Sequence, residues 1–140
     1  MFDPCRVAIA ATVVVVAFLF VVRRQGPQGV EVERRLLAAF LVGMPFVYVA
    51  RALVAGAQSS LWLEVLGVPL FSVVAILGLK KSPWFLVAGI ASHGMAWDAW
   101  HYRRSAYIPN WYSACCLLLD LALAGYLFLR VSAYTQPKQT

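Results

Sequence analysis

The sequence is poor in charge. Only 13% of its 140 residues are Asp, Glu, Lys or Arg, and just six are acidic. A soluble domain carries about a quarter charged residues and about half apolar ones. Here 62% are hydrophobic and the mean hydropathy is +0.75. That balance excludes an ordinary soluble domain and predicts an all-α membrane bundle, residues 1–140 forming one domain. Other absences narrow the function. The cysteines are Cys5, Cys115 and Cys116, and they form no C-x-x-C, which argues against a thiol–disulfide oxidoreductase. Vicinal Cys115 and Cys116 would point about 100° apart on a helix and would not readily bridge. They read as small apolar helix residues. No zinc-finger spacing and no interleaving of aromatic with basic residues suggests nucleic acid. No nucleophile elbow accompanies Ser92 or Ser113.

The charge that is present is ordered. The net charge is +6, and Arg23-Arg24, Arg34-Arg35, Lys80-Lys81 and Arg103-Arg104 each flank an apolar run. This is the pattern of loop charges that set membrane topology. Five spans are expected, at about 7–22, 36–57, 61–79, 84–102 and 111–130. The first resembles a signal peptide. However, Asp3 and Arg6 precede it, Arg23-Arg24 end it and no small-x-small site follows, so it reads as a retained span. Residues 25–35 read as a polar loop, Pro45 as a kink and Gln58-Ser59-Ser60 as a turn with Ser60 as a cap. Ser82-Pro83 and Asn110 read as helix starts, and the tail from Ser132 as frayed. With the N-terminus outside, Arg23, Arg24, Arg34, Arg35, Lys80, Lys81, Arg130 and Lys138 face the cytoplasm, while only Arg6, Arg103 and Arg104 face out. The expected topology is therefore N-out/C-in.

Both histidines, with Asp98, lie in the stretch Ser92 to Tyr102. As a regular helix it places His93, Trp97 and His101 on one stripe, with Asp98 one turn before His101. Ionisable groups inside a membrane helix are expensive, so they are candidates for function. Topology turns position into depth at about 1.5 Å per residue. His93 and Asp120 centre the fourth and fifth spans. Asp98 and Arg51 lie roughly 7 Å toward the outer face, with Glu64 further out and Cys116 at a similar level. His101 sits near the outer interface. Every intramembrane ionisable group thus falls in one half of the bilayer. Arg51 is expected to pair with Asp98 or Glu64, and His93 with Asp120. Trp62, Trp84, Trp100, Trp111, Tyr102, Tyr107 and Tyr112 read as an aromatic belt, and Trp97 as a pocket or core residue.

Metal binding is tested by spacing. His93 and His101 are eight residues apart, about 12 Å along a helix, too far for one ion. Asp98 and His101 have the i, i+3 spacing of helical carboxylate–histidine sites, but need Glu64 or another ligand from elsewhere. No motif meets a full ligand count, so no metal is assigned and no cofactor is named.

The residues His93-Gly-Met-Ala-Trp-Asp-Ala-Trp-His101, then Pro109-Asn-Trp-Tyr112, then Cys115 or Cys116 ahead of Asp120 resemble a family of small bacterial integral membrane proteins of unknown function, with an H-G-x-x-W-D-x-x-H signature. The resemblance covers about the last two spans. It implies a multi-pass protein of the cell membrane, in bacteria the inner membrane. The family pattern has a further histidine where this chain has Tyr102, which tells against a metal. It lends no activity.

Two classes of function remain. One is a non-enzymatic membrane protein in transport, assembly or a partner complex. Ala38, Ala39, Gly43, Ala122, Ala124 and Gly125 would let its helices approach closely, and homo- or hetero-oligomers would be its partners. The other is an intramembrane lipid-modifying enzyme. His93 and Asp120 would be its acid–base pair, Asp98, Glu64, Arg51, Trp97, His101 and Cys116 would support them, and a lipid would be the ligand. The first is preferred because it needs no undetected chemistry.

Overall fold

Apolar runs broken by Gly, Pro and Ser have one way to satisfy their backbone without water, which is to form helices. The computed structural model describes residues 4–135, and among them there is no strand. Asp3, Lys138 and the end of the tail, which enter the readings above, lie outside the described residues. The elements are α1 (Pro4–Arg23), α2 (Pro27–Val54), α3 (Gln58–Lys80), α4 (residues 84–101) and α5 (Asn110–Thr135). Among the described residues, three stretches are long and apolar enough to cross a membrane: Gln28–Val54, Gln58–Lys80 and Asn110–Ser132.

The predicted polar loop at 25–35 is mostly helix, and this corrects the second span. Gly26, at φ 77, makes the turn after α1, and Pro27 opens α2 with its φ already helical. The charges that looked like loop residues have partners instead. Glu31 accepts from Arg35 Nε at 3.0 Å, one turn on. Arg34 Nη2 donates to the carbonyls of Gly78 (2.7 Å) and Leu79 (2.6 Å), capping the end of α3. Glu33 is fully buried and accepts the Tyr126 hydroxyl of α5.

At the other end, the turn between α2 and α3 falls at residues 55–57, with Gly56 at φ 65. Ser60 therefore lies inside the first turn of α3 and is not a cap. Ser82 Oγ does accept the Trp84 N–H, at 3.4 Å. Asn110 opens α5, where its Oδ1 accepts the Arg103 N–H (2.9 Å) and fastens the preceding loop. α5 continues to Thr135, so the tail is helical beyond the expected end of the span. Pro45 and Pro69 lie inside α2 and α3 without ending them.

α4 packs between α3 and α5, α2 packs on α3 and also meets α4 and α5, and α1 lies against α2 and α5. One half of the interior is apolar: Leu37 and Leu41, Phe71 and Ala75, Leu86 and Ile90, Leu123 and Leu127. The other half gathers Tyr48, Ala52, Tyr107 and Ile108. Trp97 packs against both groups. Trp62, Val65, Leu66, Leu70, Val73 and Ile76 leave one face of α3 apolar and exposed, a face suited to lipid. Of the small residues expected to mediate close packing, Ala38 and Ala124 are buried in the core, whereas Gly43 and Gly125 face open space and Ala39 and Ala122 are exposed. Other glycines make further close approaches. A Cβ on Gly89 would stand 2.6 Å from Leu41, one on Gly67 2.8 Å from Trp97, and one on Gly94 2.7 Å from Asp120 Cβ.

Candidate functional site

The site begins with a change of helix type. Over His93–Asp98 the backbone of α4 widens from α to π, and the Ala99 N–H reaches back five residues to the Gly94 carbonyl. On a regular α-helix residues five apart differ by about 140° around the axis. A π turn takes up the extra residue and brings i and i+5 toward one face. His93 and Asp98 are both fully buried, with His93 Nδ1 3.6 Å from Asp98 Oδ2. The regular helix assumed from the sequence would have set them apart.

His93 Nδ1 is hydrogen-bonded to Asp120 Oδ2 of α5 at 2.8 Å. Gly94 permits this contact, because any side chain there would meet the Asp120 Cβ. Asp98 accepts the Tyr48 hydroxyl of α2 through Oδ1. Phe71 of α3 presses its ring edge-on to the imidazole, centroids 4.8 Å apart. Four helices therefore meet at His93. Three polar atoms there have no hydrogen-bond partner: His93 Nε2, Asp98 Oδ2 and Asp120 Oδ1. One ligand atom from each of His93, Asp98 and Asp120 can be chosen so that all lie within 4.8 Å of one another, the spacing of a metal-binding triad. This revises the expected metal geometry. Asp98 turns to His93 instead of joining His101, and α5 supplies the third donor.

A second polar group lies beside the first. His101 is fully buried within the bundle. Its Nδ1 pairs with the Ser105 hydroxyl, and its Nε2 stands 3.2 Å from Glu64 Oε1, a close contact that is off the line of a hydrogen bond. Glu64 accepts the Tyr107 hydroxyl. Burial, and then this bond to Glu64, push the Tyr107 phenol up to about 12. The Tyr48 ring lies 4.7 Å from the His101 ring and joins the two groups.

Several expectations need correction. Arg51 pairs with neither Asp98 nor Glu64. It is exposed and donates to the Tyr107 carbonyl at 3.1 Å, while the two acids each accept a tyrosine hydroxyl through one oxygen. Tyr107 belongs to the buried site, not to a belt, whereas Trp62, Trp84, Trp100 and Trp111 are exposed as a belt requires. Glu33, read from the sequence as a loop residue, is buried with Tyr126 at the opposite end of the bundle. Cys116 is half-buried on α5, hydrogen-bonded with Tyr112 and in electrostatic contact with Asp98 and Asp120. Trp97 is half-buried with its Nε1 unpartnered. It helps to line a cavity of about 410 Å³ with Ser59, Ser60, Trp62, Leu63, Ala96 and Trp100.

Tyr48, Phe71, Ser105 and Glu33 were missed as site or buried polar residues. Tyr48 carried a signal: it is a hydroxyl-bearing residue well inside an apolar run, three before Arg51. No protein-family model matches the chain, no curated protein matches it in sequence, and no solved structure matches it in fold.

Proposed function

We propose that the chain is a five-span integral membrane protein of the cell membrane, N-out/C-in, with a non-enzymatic role as a subunit in transport or assembly. α1, of 20 residues, and α4, spanning residues 84–101, complete the set with the three longer helices. At about 1.5 Å per residue they reach roughly 30 and 27 Å, close to the thickness of a bilayer core. The observation that carries the role is closure. Glu64, His93, Asp98, His101 and Asp120 are all fully buried, and none of them lines the cavity beside Trp97. Acid–base chemistry needs a reacting atom within hydrogen-bond reach of the base. The polar contacts instead tie α2, α3, α4 and α5 to one another.

The test is native mass spectrometry of the full chain from mild detergent, with a lipid profile of cells that express it or lack it. The expected result is a bound partner chain or a homo-oligomer, with an unchanged lipid profile. A lipid product that depends on His93 would contradict the role. Impermeant labelling of single cysteines, placed in a cysteine-free background, tests the topology. Ala106→Cys should label from outside and Lys81→Cys should not.

One observation favours the enzymatic reading. The bond from Nδ1 to Asp120 orients the imidazole and leaves Nε2 unpartnered, as an oriented general base requires. On that reading His93→Gln abolishes a lipid conversion while the bundle stays folded.

A further inference from the structure

We propose that His93, Asp98 and Asp120 bind one divalent transition-metal cation of the zinc or manganese class. The ion goes beyond the non-enzymatic reading, since a structural ion and a catalytic one would use the same ligands.

Geometry comes first. Ligand atoms held at about 2.0–2.2 Å by a tetrahedral ion stand roughly 3.3–3.6 Å apart. His93 Nδ1 lies 2.8 Å from Asp120 Oδ2 and 3.6 Å from Asp98 Oδ2. A shift of a few tenths of an ångström would let an ion replace the proton shared by His93 and Asp120.

Charge comes second. Two carboxylates face one imidazole at zero exposure, and Arg51 is engaged elsewhere. A divalent ion, two carboxylates and a neutral imidazole sum to zero, the state that an apolar interior tolerates best. Two protons, one on His93 and one on an aspartate, balance the charge equally well. Asp98 Oδ2 and Asp120 Oδ1 have no hydrogen-bond partner. An ion satisfies such oxygens directly.

The backbone supplies a third, independent observation. The π segment starts at His93 and ends at Asp98, the two donors that α4 contributes. π turns are rare and recur at functional sites. Here the turn converts an i, i+5 pair into neighbours, and Tyr48 then fixes Asp98 from the far side, as outer partners orient metal ligands. One imidazole nitrogen with two carboxylate oxygens suits zinc or manganese. It falls short of the six to eight oxygens that calcium takes and lacks the thiolates that Cu(I) prefers.

The experiment uses the full chain in mild detergent, stripped with a chelator and titrated with Co²⁺ as an optical probe. We expect one Co²⁺ per chain, displaced by Zn²⁺, and binding at least tenfold weaker in Asp98→Asn and Asp120→Asn. Glu33→Gln, which alters the buried carboxylate at the opposite end, should bind as the wild type does. Failure of the wild type to bind near one equivalent, or binding that survives both Asn substitutions, overturns the proposal. If the variants do not fold, X-ray absorption at the zinc edge of the loaded wild type decides. A nitrogen and oxygen shell with imidazole scattering supports the site, and a sulfur shell or one without imidazole overturns it.

Discussion

At the end of the bundle where α2 begins and α5 finishes, the helices meet through Leu37, Leu41, Leu86, Ile90, Leu123 and Leu127. Past Phe71 and Trp97, the same helices meet through Tyr48, Asp98, His93 and Asp120, with Glu64, His101 and Tyr107 beside them. Apart from the buried Glu33–Tyr126 bond and the Arg34 cap of α3, the first half is non-directional, and many apolar shapes of similar volume would fill it. The second half is directional, because a buried polar atom without its partner costs more than any lost methyl group. In a membrane, where lipid is as apolar as leucine, the leucine half gives close packing and the polar half gives register.

The largest expected effect comes from removing the centre of the polar half. His93→Leu leaves Asp120 without a donor, facing an Asp98 held only by Tyr48, and should destabilise the bundle by about 3–5 kcal/mol. Unfolding by steric trapping or heat in detergent measures it. The double variant His93→Leu/Asp120→Leu should recover part of the loss, and a single-variant cost near zero would erase the contrast between the halves. In the apolar half, Leu41→Ala should cost about 2–4 kcal/mol through the cavity it leaves. Leu41→Met, which conserves volume, should cost less than about 1.5 kcal/mol, a tolerance the polar half should not show.

Gly94→Ala comes next. Its new methyl would meet Asp120 Cβ, and the repulsion should cost about 1–3 kcal/mol and lengthen the His93–Asp120 contact. Gly43→Ala faces open space and should be neutral, or stabilising by up to about 1 kcal/mol through helix propensity. Arg51→Ala should also have a small effect. It loses one hydrogen bond to the Tyr107 carbonyl, about 1 kcal/mol, and should add independently to Asp98→Asn in a double-mutant cycle.

The helical class was legible because long apolar runs satisfy their backbone internally only as helices. The placement of His93 opposite Asp120 followed from equal depth on antiparallel neighbours. The π segment was not legible, since nothing in Ser92 to Asp98 marks the change in hydrogen bonding, and without it Asp98 falls on the wrong face. The Arg51 reading failed for a related reason. Counting charges paired Arg51 with an acid and overlooked tyrosine hydroxyls as donors, so Tyr48 and Tyr107 were left out. Glu31, Glu33 and Arg34 looked like loop residues because composition cannot separate a solvated charge from one that caps a helix or receives a tyrosine.

The central claim is that His93 sits between two aspartates from different helices. Solid-state NMR in lipid measures this most directly, through dipolar coupling between ¹⁵N in the His93 ring and ¹³C in the Asp98 and Asp120 carboxyl groups. The structure predicts coupling to both, stronger to Asp120, whose Oδ2 lies 2.8 Å from Nδ1, than to Asp98 at 3.6 Å. Coupling to neither aspartate, with the protein folded, would contradict the account.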